Sequence, residues 1–264
     1  MTRDIPRPRS VAGFMLIAFS VTTLSGTGHA AESVEYEPIT PYRPSVSTPA
    51  QLPFPGQLEF ELGGLGMSGA SRRGSLPYLF KFAFSSEWGL LVGGDAHVWS
   101  RGEDGRFEGV GDTNVTLKRA WVVDDATAFG VEVNVKLPTA KDSLGSGKAD
   151  YDVNTIYSQD LGPVHMDANL NLTRLGLVDT GTSRTQLGWA SAFTVNLPGR
   201  WGMIGELSGT HRAGADSATQ LLCALTFSPS KVLTFDMGLS RTLRPRPAAT
   251  SLFAGVVLPL ARFR

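Results

Sequence analysis

Phe129-Gly130-Val131-Glu132-Val133-Asn134-Val135-Lys136-Leu137 alternates without interruption. One parity carries Phe129, Val131, Val133, Val135 and Leu137, and the other carries Glu132, Asn134 and Lys136. Successive side chains of a strand point to opposite faces, so the stretch predicts a strand with one apolar and one polar face. A helix would need apolar residues three and four apart, and no stretch after residue 57 sustains that spacing. The pattern recurs over 164–172, where Val164, Met166, Ala168, Leu170 and Leu172 oppose His165, Asp167, Asn169 and Asn171. Asp112, Asn114, Thr116 and Lys118 share a face opposite Val115, Leu117 and Trp121. Thr234, Asp236 and Ser240 oppose Leu233, Phe235, Met237 and Leu239.

Working outward from these segments predicts about twelve strands, at 57–66, 75–85, 89–100, 110–122, 127–137, 150–159, 164–175, 184–197, 202–212, 218–228, 232–241 and 250–263. Tight turns follow every second strand, at 85–88, 123–126, 160–163, 198–200 and 228–231. The intervening links are longer, as in 67–74, 101–108, 138–149 and 176–183. Short and long connections alternate in outer-membrane barrels, whereas Greek-key sandwiches mix their lengths. Strands near ten residues suit a tilted crossing of the hydrocarbon layer. The expected fold is therefore all-β, a transmembrane antiparallel up-and-down β-barrel over 57–264.

In such a barrel the apolar parity faces lipid and the polar parity faces the lumen. The expected lumen lining is Asp112, Asn114 and Lys118, then Glu132, Asn134 and Lys136, then His165, Asp167, Asn169 and Asn171, and finally Asp236. Two readings of this lining stay open: a pathway for solutes, or a lumen filled by ion pairs and hydrogen bonds. Trp88, Trp121, Tyr157 and Trp201 fall near the tight turns, where an interfacial aromatic girdle belongs. Arg119 lies close enough to that end to snorkel. Gly130, Gly188, Gly205 and Gly255 inside strands would relieve crowding or permit bends.

Ahead of the strands, Arg3, Arg7 and Arg9 precede an apolar run from Val11 to Leu24 and the small-residue stretch ending Gly28-His29-Ala30. This is the layout of a cleaved export signal over residues 1–30, cut after Ala30. The run is too short and too diluted by Ser20, Thr22 and Thr23 for a membrane anchor. Removing it takes away three arginines and Asp4, which leaves a net charge of −2. Residues 31–56 hold Pro38, Pro41, Pro44, Pro49, Pro53 and Pro55 among polar residues, the composition of an extended periplasmic linker. A plug or partner-binding strap is the alternative.

The 24 basic and 24 acidic side chains balance, which excludes the net basic surface a nucleic-acid binder needs. A single cysteine, Cys223, excludes a disulfide scaffold and a cysteine-based zinc site. The mean hydropathy of −0.02 suits an ordinary soluble domain, but equally the average of two opposed faces. Asp95 with His97, and His165 with Asp167, each offer half of a catalytic or metal site. Neither Gly-x-Ser-x-Gly nor His-Glu-x-x-His accompanies them, so no catalytic residue, metal or cofactor is expected. Gly109-Val110-Gly111-Asp112 is read as a loop leading into a strand, since no βαβ unit follows.

The middle of the chain resembles the outer-membrane β-barrel family named for the meta-cleavage pathway of phenol degradation, whose members are described as transporters. The resemblance rests on Gly109-Val110-Gly111-Asp112 with Lys118, on Val135-Lys136-Leu137-Pro138-Thr139, on Gly145-Ser146-Gly147-Lys148-Ala149-Asp150-Tyr151, and on Asn169-Leu170-Asn171. It covers about residues 105–175. It implies an outer-membrane transporter or channel for small, hydrophobic or aromatic compounds, with membrane lipid and the barrel-assembly machinery as partners. Members end in an aromatic residue; here Phe263 is followed by Arg264. A closed structural barrel without transport remains the alternative, with a His-based barrel hydrolase behind it.

Overall fold

The computed structural model describes residues 35–69, 72–102, 105–141, 144–245 and 247–263; the export signal and its cut after Ala30 lie outside the described residues. Among the described residues every regular element is a strand. The first six are β1 (Gln57–Ser68), β2 (Arg72–Ala83), β3 (Trp88–Gly102), β4 (Gly105–Gly109), β5 (Thr113–Val122) and β6 (Thr127–Leu137). Then come β7 (Asp150–Leu161), β8 (Val164–Arg174), β9 (Thr185–Leu197), β10 (Trp201–Arg212), β11 (Ala218–Ser230), β12 (Leu233–Arg244) and β13 (Thr250–Arg262).

Neighbouring strands pair antiparallel, and β13 pairs with β1 from Thr250↔Ser68 to Arg262↔Gln57, so the sheet closes on itself. β4 and β5 both pair with β3, the first through Val98↔Gly109 and the second through Trp88↔Arg119. They are two halves of one stave, and the barrel has twelve staves. The sequence suggests one strand from 110 to 122; the stave instead breaks between Gly109 and Thr113. There the Gly111 N–H bonds the Asp95 carbonyl, and the Asp112 carboxylate accepts from the Ala140 N–H at 2.9 Å. The link expected over 67–74 is also shorter, because the β1–β2 ladder continues through Ser68↔Arg72.

Each stave sorts its two parities as alternation dictates. On β6, Phe129 and Val133 are exposed outward, whereas Ala128 and Glu132 are buried inward. Leu170, Leu172, Leu221, Leu225, Met237 and Leu239 continue the exposed apolar outside. Cys223 shares that outside face. At the tight-turn end, the Arg119 guanidinium lies 4.6 Å from the Trp121 ring centre and 5.2 Å from that of Trp88, and reaches Glu87 at 3.2 Å. Phe129 stacks near Tyr157 at 5.1 Å and Trp201 near Phe227 at 4.8 Å, which extends the aromatic collar. Gly162 closes the β7–β8 turn at φ 66°, a left-handed value that a Cβ disfavours.

The inside is not uniformly polar. Ala192, Ile204, Leu222, Ala224 and Phe253 form a buried apolar cluster on β9–β11 and β13, with Leu65 of β1 packed against it. Across the lumen, the inward residues of β5–β8 are mostly carboxamides, hydroxyls and charges, with a small apolar cluster of Ala128 and Ile156 against Ala50.

Candidate functional site

Residues 35–56 form no ladder, since six prolines remove donors and fix φ, and Ser and Thr fill the gaps. The segment is extended, as its composition suggests, but it is not a periplasmic linker. It lies inside the barrel. The proof is its set of partners: the stretch from Thr40 to Ala50 bonds side chains of β1, β2, β5, β6, β7, β8, β10 and β12, which surround the lumen.

Its path can be followed bond by bond. Near the β11–β12 turn, the Ile39 N–H bonds the Lys231 carbonyl. The segment then climbs the inward face of β1. Glu37 N–H donates to Gln57 at 2.9 Å, Thr40 N–H to Glu59 at 3.1 Å, and Tyr42 N–H to Glu61 at 2.8 Å. It crosses the lumen next. Arg43 forks onto both carboxylate oxygens of Asp236 at 3.1 Å, and the Val46 and Ser47 N–H groups both reach Glu206 at 2.8 Å. Thr48 N–H donates to Asn169 at 2.7 Å, and Ala50 N–H to Ser158 at 2.8 Å. The segment returns beside its own ascending limb, with the Tyr42 hydroxyl donating to the Gln51 carbonyl at 2.7 Å. It is a strap that fills the tight-turn half of the lumen.

The wall is shaped for it. A Cβ at Gly63 or Gly255 would come within 2.4 Å of the Arg43 guanidinium, so the two glycines form the niche in which that group lies. Gly130 likewise faces Ala50. Gly205 has open space around it and Gly188 abuts Asn171, so neither serves the strap.

Beneath the crossing lies a buried ionic core. Lys81 and Lys118 are both 0% exposed, and their ammonium groups lie 4.4 and 4.3 Å from the ring centre of Tyr42. Lys81 is 3.1 Å from Glu59 and 2.6 Å from Glu61; Lys118 is 3.0 Å from Glu132. Each ammonium also donates to a strap carbonyl, Lys81 to Thr40 and Lys118 to Pro49. Acids outnumber bases here, and the strap's N–H groups supply the missing donors, as a buried carboxylate requires. Burial first, then the carboxylates of Glu132, Glu61 and Glu59, raise the Tyr42 pKa well above its usual value, so the phenol stays neutral.

Above the strap, toward the long loops, opens a vestibule of about 680 Å³ floored by Val46 and Thr48. Asn114, Asn134, Asn154, Asn169, Asn171, Thr116, Ser208 and Thr210 line it, together with Glu132 and Asp152.

The residues singled out by sequence therefore divide among levels. Lys118, Glu132, Asn169 and Asp236 hold the strap. Asn114, Asn134 and Asn171 line the vestibule, and Glu132 and Asn169 touch it from below. Asp112 and Lys136 sit at the mouth, 3.3 Å apart, where Lys136 also meets Asp150 at 2.8 Å and Ser146 at 3.1 Å. His165 lies near the tight turn, with its ring nitrogens 2.6 Å from Asp160 and 3.2 Å from Asp167. Asp167 also accepts from the Ser158 hydroxyl at 2.5 Å. The hydroxyl thus meets the carboxylate rather than the imidazole, which is not the order a nucleophilic triad needs. Among the described residues no group of His, Cys, Asp and Glu is placed to hold a metal ion.

Sequence reasoning did not single out Glu59, Glu61, Lys81, Asn154 or Glu206. Glu59 and Glu61 share the inward parity of β1 with Gln57, a signal open to the same rule that found Glu132 and Asn134.

No family model matches the chain, and no curated protein does. Solved structures do match it in fold. An outer-membrane channel from Pseudomonas putida F1 is 15% identical, with a TM-score of 0.65 over 80% of this chain and 98% of that one. The NanC porin is 11% identical, with a TM-score of 0.58 over 76% and 100%. The CymD monoaromatic hydrocarbon channel is 7% identical, with a TM-score of 0.50 over 80% and 90%. At these identities the likeness is one of fold: a closed antiparallel barrel of the outer-membrane channel type.

Proposed function

We propose that this chain is an outer-membrane channel for small solutes, with the strap at residues 36–52 as its gate. The observation that carries the reading is the vestibule, a cavity at the long-loop end, rich in carboxamides and hydroxyls, that stops on Val46 and Thr48. The apolar outside and the collar around Trp121 and Trp201 suit a lipid boundary. In the proposal the chain is exported by residues 1–30, cut after Ala30, and inserted by the barrel-assembly machinery. At His165 the contact a hydrolase needs between nucleophile and imidazole is missing, because Ser158 donates to Asp167.

The resemblance to the phenol meta-pathway family, and the fold shared with channels that include a monoaromatic hydrocarbon channel, support passage of small solutes. The strap is fastened by hydrogen bonds and ion pairs to wall side chains, so it can leave without breaking the barrel ladder.

Planar-bilayer recording tests the reading. Deleting residues 36–52 is expected to raise single-channel conductance at least about tenfold, because the lumen of a twelve-stave barrel is then unobstructed. If neither the intact nor the deleted protein passes ions or any small solute, the closed structural barrel is the right account.

A further inference from the structure

The vestibule's lining is chemically specific. We infer that it is a binding site for an uncharged, polyhydroxylated solute of mono- to disaccharide size. This rests on the channel reading and names the solute class of that same cavity.

Size comes first: about 680 Å³ lies within the roughly 300–1,000 Å³ of sites that enclose small ligands. The lining chemistry narrows the choice. Carboxamides and hydroxyls are the commonest side chains among its lining residues, which also include Val46, Ala190 and Ala218, and no Lys or Arg is among them. A carboxamide presents donor and acceptor side by side, which matches a hydroxyl that is itself both. An anion would meet Glu132 and Asp152 with no cation in the lining to receive it. An apolar solute would cover these polar groups and leave them without partners.

One buried acceptor beside the cavity lacks a partner. Asn154 is 8% exposed and lines the cavity, yet its Oδ1 has no hydrogen-bond partner. Its Nδ2 is held by Glu132 at 2.9 Å, which fixes the carboxamide plane. Asn171 is oriented in the same way by Asp152 at 2.8 Å, and Asn134 by the Thr116 hydroxyl at 2.8 Å. The wall is therefore preorganised, with polar groups set before a solute arrives. The apolar cluster around Ile204 and Phe253 is packed against itself and contributes no residue to this lining.

The test is calorimetry on the purified full-length barrel in detergent, with sucrose, glucuronate and toluene as probes. Sucrose is expected to bind at least about tenfold more tightly than either of the others. Asn154→Leu should weaken sucrose about tenfold, whereas Asn154→Asp, which keeps an acceptor at that position, should weaken it less. Asn171→Leu, higher in the vestibule, provides a second reading should Asn154→Leu fail to fold. Glucuronate or toluene binding as tightly as sucrose, an unchanged affinity in both leucine variants, or no sucrose binding would overturn the assignment. Liposome swelling, run in parallel, separates the two proposals. Selective sucrose binding without solute entry upholds the site and removes the channel; entry without selective binding does the reverse.

Discussion

The two halves of the lumen are built on the same alternating strands and use opposite chemistry. At the tight-turn end the wall presents Glu59, Glu61, Lys81, Lys118, Glu206 and Asp236, nearly all buried and all engaged with the strap or with each other. At the long-loop end it presents mainly neutral carboxamides and hydroxyls around open space. Buried charge is costly unless every charge is met, so it suits an internal partner held in one defined position. Neutral amides lose less when a partner leaves and water returns, so they suit a visitor. The difference between fastening and receiving is written in the charge of the wall.

The comparison breaks first at the charged half. Glu132→Ala is expected to destabilise the folded barrel by about 3–5 kcal/mol, because it leaves Lys118 buried with no carboxylate within reach. Denaturant unfolding in micelles, read by the heat-modifiable gel shift, measures this. An effect below about 1 kcal/mol would mean that water enters the ionic core.

Next in size is Gly255→Val, which drives a side chain into the Arg43 guanidinium. It should cost about 1–3 kcal/mol by overpacking. Hydrogen exchange should rise at Tyr42, Val46 and Ser47, whose N–H groups meet Glu61 and Glu206. Unchanged exchange there would place Arg43 outside the fastening.

The neutral half should yield far less. Asn134→Ala removes a partner of Thr116 and Asn114 beside open solvent, so stability should change by about 1 kcal/mol or less in the same unfolding assay. Smallest of all, Arg106→Ala breaks the exposed pair with Glu108 on β4 and should move the midpoint by roughly 0–1 kcal/mol. If the Asn134 and Glu132 substitutions cost the same, the two halves do not differ as described.

What was legible in the sequence follows from the same division. The staves were legible because lipid and lumen impose period two on every strand, and 127–137 is read with its observed bounds. The break at 110–112 was not, because it depends on where Gly111 and Asp112 find partners: Asp95 on β3 and Ala140 in a distant loop. The inward direction of Glu132, Asn134 and Asn169 could be read from parity, but not which half each belongs to. That depends on stagger around the barrel, which a single strand does not encode. The strap was hardest to place. A proline-rich segment has no period of its own, and its position is encoded in carboxylates scattered over β1, β10 and β12. The run Gln57-Leu58-Glu59-Phe60-Glu61 pointed toward it, since three inward polar groups in succession need donors from somewhere.

The most direct test of the account asks whether residue 47 lies inside the barrel. Ser47 is 1% exposed, bonded to Glu206 through both its N–H and its hydroxyl. In a Cys223→Ser background, Ser47→Cys should resist a bulky polyethylene-glycol maleimide while the barrel is folded and react at once when it is unfolded. Equal labelling of the folded and unfolded protein would place the segment outside the lumen and contradict the strap, the gate and the contrast between the two halves.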